Sequence, residues 1–87
     1  MKEIDEYNSR FISGVGIAAS RVRLLLKECL PIHGSLVYNG LVAECPKRTP
    51  YQSFRYWTQA LRAVEGLHAA PALLERLGTD AVHQMSD

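Results

Sequence analysis

The run Lys47-Arg48-Thr49-Pro50-Tyr51-Gln52-Ser53-Phe54-Arg55-Tyr56-Trp57-Thr58-Gln59-Ala60-Leu61-Arg62 decides how the rest of the chain is read. Thr49 is a good helix N-cap, because its hydroxyl can accept from a backbone N–H just inside the helix. Pro50 then falls at the first helical position, where a missing N–H costs nothing and φ is already set. Phe54, Trp57, Leu61 and Val64 recur at helical spacing and form one apolar stripe. Opposite them on the helical wheel lie Gln52, Arg55 and Gln59, with Arg62 at the edge and Tyr51 and Tyr56 flanking. No acidic residue interrupts the run. The pattern predicts a helix to about Glu65, with Gly66 as its stop, anchored in a core on one side and facing something negatively charged on the other.

Working back toward the N-terminus, Ile17–Leu30 is the clearest helix. Val22, Leu25, Leu26, Cys29 and Leu30 mark its core face, while Arg21, Arg23, Lys27 and Glu28 look outward. Pro31 ends it and Gly34 permits the turn. Ser35 is a plausible N-cap for a short helix to about Glu44, with Leu36, Val37, Gly40 and Leu41 turned inward. Ahead of this, Ile4, Tyr7, Phe11 and Ile12 suggest an amphipathic helix over about 3–12. Gly14 and Gly16 weaken it, so that it either breaks or bends into the next; each glycine costs about 1 kcal/mol relative to Ala. A phosphate loop there is disfavoured, since the Lys and Ser/Thr of that motif are missing, and a hinge is expected. Beyond Pro71 a last helix over about 71–77 would turn Leu73, Leu74 and Leu77 inward, closed by Gly78, with Thr79 and Asp80 capping one more turn through His83.

The fold class expected is all-α: a single small helical domain, residues 1–87, of four to five helices. At 87 residues the chain is near the lower end of what buries an adequate core alone, which makes a dimer attractive. A hydrophobic content of 47% with 22% charged residues excludes wholesale disorder. The formal net charge is only +1, so affinity for a polyanion must come from where the charges sit. Two cysteines do not make a disulfide framework, and the acidic, charged start does not resemble a secretory signal. The expectation is a cytoplasmic protein with free thiols and no membrane span.

The order of a helix over 17–30, a short helix over 35–44 and a longer polar-faced helix from Thr49 resembles a helix-turn-helix DNA-binding unit, placed at about 35–65. Thr49 to Trp57, with Leu61 and Glu65-Gly66-Leu67, is similar to the recognition helices of small winged-helix and helix-turn-helix repressors, where a polar helix commonly ends in an acidic-Gly-Leu corner. The likeness spans roughly residues 17–67 and rests on pattern. It departs from the winged type after His68, where the sequence reads as helix and not as a β-wing. The resemblance implies a homodimeric repressor acting on double-stranded DNA. Arg55 suits guanine O6 and N7, and Gln52 or Gln59 suits adenine N6 and N7. Lys47, Arg48, Thr49, Tyr51, Tyr56 and Arg62 are the phosphate candidates, with Arg21, Arg23 or Lys27 further out. Ile4, Tyr7, Phe11, Leu73, Leu74 and Leu77 are the candidates for the dimer seam.

Other chemistries find less support. Arg and Gln on one helix face are often no more than a solvated surface. Trp57 shares the phase of Phe54 and Leu61, so it is expected in the core and not stacked on a base. Cys29, His33 and Cys45, with His68 and His83, do not form the two close ligand pairs of structural zinc, and no metal or cofactor is expected. Glu28, Glu44, Glu65, Glu75 and Asp80 are scattered, and no nucleophile context appears, so the chain is not expected to be an enzyme. The competing expectation is a small inhibitor or adaptor that binds a protein partner through the same basic, aromatic face, with Tyr51, Tyr56, Arg55 and Arg62 as anchors.

Overall fold

The computed structural model describes residues 2–73, 75 and 76, and contains three helices: α1 (Lys2–Cys29), α2 (Gly34–Glu44) and α3 (Pro50–His68). Residues 71–73, 75 and 76 are helical as well, and no strand occurs among the described residues. The chain is therefore all-α.

Helix α3 forms as its residues dictate. Thr49 is extended (φ −137°, ψ 153°), its Oγ1 accepts from the Gln52 N–H at 3.1 Å, and Pro50 opens the helix. Trp57 and Val64 are buried, with Phe54 and Leu61 half-buried beside them. The expected stop at Gly66 is not used, and the helix runs on to His68. A glycine stops a helix where the chain turns left-handed. No described glycine has a positive φ, and Gly66 is an ordinary helical residue.

Of the two alternatives near Gly14, a break or continuation into the next helix, the break is absent: residues 2–29 are one helix. The reason lies across the interface with α3. A Cβ placed on Gly14 would stand 2.5 Å from the Phe54 ring, so this glycine is a notch that admits the ring. Gly16 has nothing within 4 Å of such a Cβ. Packing along one continuous face outweighs the propensity penalty of two glycines.

Helix α2 begins two residues earlier than Ser35 as N-cap predicts. His33 occupies the N-cap without a side-chain bond, and Gly34 is the first helical residue. Gly34 is buried, and a Cβ there would meet the Leu26 carbonyl oxygen at 2.5 Å. Its role is close approach of two backbones and not a special turn. The inward phase of α2 differs from the expected one. Leu36 is 70% exposed, Val37 is exposed and Gly40 faces open space. Leu41 packs on the core as expected, and Tyr38 and Cys45 join it at i, i+3, i+7 spacing. Apolar residues lie all round this helix, so periodicity alone does not choose its buried side.

Helices α1 and α3 lie side by side and parallel. Phe11 meets Tyr51, Gly14 meets Phe54, and Glu28 meets His68, each pair separated by 40 residues in sequence. Helix α2 runs back over them, packed mainly on α1. Gly34 lies at Leu26, Tyr38 lies at Trp57 (ring centroids 5.7 Å apart), and Leu41 lies at Tyr56. The core holds Ala18, Val22, Leu25 and Leu26 from α1 with Trp57 and Val64 from α3. The Cα extents of 55 × 25 × 16 Å describe a slab.

Candidate nucleic-acid interface

Gln52, Arg55, Gln59 and Arg62 are all exposed on the side of α3 away from the core. Their orientation is fixed from behind. Trp57 is 4% exposed and its indole is flanked by Tyr38 and Tyr56, the latter edge-on at 5.4 Å. The expected core role of Trp57 is the observed one. Gln52, Arg55 and Gln59, with Pro46 and Tyr56, line a shallow depression. These three side chains are therefore neighbours in space as well as on the helical wheel.

Lys47, Arg48 and Thr49 are exposed at the start of α3 and line a second recess with Ile12, Val15, Pro50 and Ser53. The positive end of the helix macrodipole lies here, so the two cations add to a field already favourable to an anion. Among the described residues, none of Lys47, Arg48, Arg55 and Arg62 is engaged in an ion pair. The connector is tied down by Ser53 Oγ, which donates to the Pro46 carbonyl at 2.7 Å. This bond holds Pro46, next to Lys47, against the first turn of α3.

The tyrosines differ from each other. Tyr51 is 46% exposed, and its ring packs edge-on against Phe11 at 5.4 Å. Its body is anchored while much of the residue reaches solvent. Tyr56 is half-buried and donates its hydroxyl to the Leu41 carbonyl at 2.6 Å. That carbonyl lies in the last turn of α2, where helical partners run out. With its proton directed there, Tyr56 is not a donor toward a phosphate. Burial pushes the Tyr56 phenol above its ordinary value of 10.0, and the nearby charges of Glu44 and Cys45 push the same way.

Glu44 is the residue that the linear reading passed over. It lies outside the acid-free run, yet the fold brings it near enough to Tyr56 for its charge to help raise the phenol. Only the fold could reveal this, since Glu44 and Tyr56 share no helical phase.

The expected dimer residues divide. Phe11 is occupied within the chain, packed against both Tyr51 and Phe54, the latter at 5.3 Å. Leu73 is 43% exposed and does not face inward. The side chains of Ile4 and Tyr7, and residues Leu74, Leu77 and Gly78 to His83, lie outside the described residues. Cys29 and Cys45 are free, and no group of metal-ligating side chains is assembled among the described residues. His68 Nε2 instead meets Glu28 Oε2 at 3.0 Å on the surface. No described helix is long and apolar enough to cross a membrane. No family model, curated protein or solved structure matches the chain.

Proposed function

We propose that this protein is a non-enzymatic, sequence-specific DNA-binding regulator, acting in the cytoplasm as a homodimeric repressor. In this reading the exposed side of α3 enters the major groove. The observation that carries it is the row Gln52, Arg55 and Gln59, exposed together on a helix whose opposite side is locked by buried Trp57. Rigid presentation matters because a bidentate Arg or Gln contact discriminates bases only when its approach is fixed. Lys47 and Arg48 supply the sequence-independent attraction at the helix N-terminus. Arg55 pairs with guanine, and Gln52 or Gln59 with adenine.

The test is an electrophoretic shift with duplex DNA from upstream of the protein's own gene, because small repressors commonly regulate themselves. Affinity should fall steeply with salt, by about one power per phosphate neutralised. An unchanged affinity in the double variant Arg55→Ala/Gln59→Ala would remove the role assigned to α3.

A second reading draws on Glu44. An acid whose charge reaches half-buried Tyr56, with Arg55, Arg62 and Tyr51 exposed on α3, gives a mixed-charge aromatic surface suited to a protein partner. Recovery of one stoichiometric protein, with no DNA retained at low salt, would select it.

A further inference from the structure

We infer that a second copy of this chain docks on the groove between α1 and α3, with Arg21 of each protomer set against Glu65 of the other. This rests on the homodimer of the reading above but relocates its seam from the chain ends to the middle of the molecule.

The back of α1 carries an apolar ridge that nothing within the described chain covers. Ile17 is 73% exposed and Leu24 is 50% exposed, one heptad apart. Ser13 and Ser20 alternate with them in the row 13, 17, 20, 24, at 4-3-4 spacing, small enough for another helix to come close. These four residues, with Gly16, form one wall of an open groove, and Leu61 of α3 lies across from them. Such a ridge beside a groove is the shape that a second helix pair fills.

Charge argues that the occupant is the same groove in a second copy. The two charged residues that line it are Arg21, on the α1 side, and Glu65, on the α3 side. Both are exposed, and neither has an ion-pair partner among the described residues. A two-fold axis lying in the interface and running along the groove sets the α1 wall of each protomer on the α3 wall of the other, so each arginine meets the other protomer's glutamate, twice over. The register permits this. With α1 and α3 offset by 40 residues, Glu65 stands level with Leu25, about 6 Å along the axis from Arg21 at 1.5 Å per residue. The Ile17–Leu24 ridge of each protomer then lies along the α3 wall of the other. An acidic or a basic partner would satisfy only one of the two charges, whereas an isologous contact satisfies both.

The size of the groove sets the strength. A strip as long as α3 and two helices wide is on the order of 600 Å² per protomer, somewhat under the ~800 Å² per partner of a standard interface. The dimer is therefore concentration-dependent and dissociates on dilution.

The experiment is sedimentation velocity on the full chain over a range of concentrations, without DNA. Wild type should dimerise reversibly. Arg21→Glu and Glu65→Arg should each weaken dimerisation about tenfold or more, because each creates two like-charge pairs. An equimolar mixture of the two single variants should associate at least as well as wild type, and so should the double swap. Leu24→Glu should give a monomer with an unchanged helical circular dichroism spectrum. A wild-type monomer throughout would overturn the inference, as would a dimer indifferent to Arg21→Glu and Leu24→Glu. Loss of DNA binding in the Arg55→Ala series bears on α3 alone, so the two readings fail separately.

Discussion

The ring of Phe54 occupies the space where a side chain on Gly14 would begin, 2.5 Å from an ideal Cβ. This contact brings α1 and α3 together near their N-terminal halves. Phe11 closes it from the preceding turn of α1, with its ring 5.3 Å from that of Phe54 and edge-on to Tyr51. Because Phe54 is held on two sides, it has little room to yield.

The glycines should therefore respond in opposite directions to the same substitution. Gly14→Ala should destabilise the protein by about 1–2 kcal/mol, since overpacking outweighs the gain in helix propensity. Gly66→Ala should stabilise it by roughly 0.5–1 kcal/mol, because that glycine is helical, in the last turn of α3, with open space around it. Urea denaturation of the two variants checks both signs. A destabilised Gly66→Ala would mean that the glycine terminates α3 after all.

Gly34→Ala should be costlier to accommodate than Gly14→Ala. The obstructing atoms at Gly34 are the backbone of α1 at Leu26 and Lys27, which cannot rotate aside as a ring can. A loss of about 2–3 kcal/mol is expected. The midpoint of thermal unfolding reads it, with Gly40→Ala, which meets nothing within 4 Å, as the control.

Alkali should act through Tyr56. Its folded-state pKa lies above the ordinary 10.0, chiefly through burial, so the folded protein holds the phenol proton more tightly than the unfolded chain. Its contribution is intact below pH 10 and is lost as pH rises through the folded-state value. Tyr56→Phe should lower stability near neutral pH by about 1 kcal/mol, through loss of the bond to Leu41. The same variant should flatten the alkaline fall in stability. Melting curves of both proteins from pH 8 to pH 11 make the comparison.

The cations of the α3 face should separate into two kinds. Lys47→Ala and Arg48→Ala should each weaken binding to all duplexes alike and reduce the salt dependence by about one power. Arg55→Ala should cost about 1–3 kcal/mol on the preferred site and relax the base choice there. Fluorescence anisotropy with a preferred and a scrambled duplex, at several salt concentrations, distinguishes the two behaviours. Equal losses on both duplexes for Arg55→Ala would make it another phosphate contact.

Local chemistry was enough to place α3. Thr49 and Pro50 specify where a helix starts through groups two or three residues away, and the Phe54–Trp57–Leu61–Val64 stripe fixes the buried side by its period. The same holds for Val22, Leu25 and Leu26 on α1, and for the exposed row Gln52, Arg55 and Gln59. Each of these signals is complete within one or two helical turns. What the tertiary structure decided depends on atoms far apart in the chain. Gly14 reads as a hinge until Phe54 fills its notch, and Gly66 reads as a stop unless its φ is known. The buried side of α2 is undetermined in a helix apolar all round, until Tyr38 meets Trp57 and Gly34 meets Leu26. The charge of Glu44 reaches Tyr56, and the Tyr56 hydroxyl turns to Leu41, only because α2 folds back along α3. The physical reason is range: capping and periodicity act within a turn, whereas close approach and charge proximity exist only once the helices have packed.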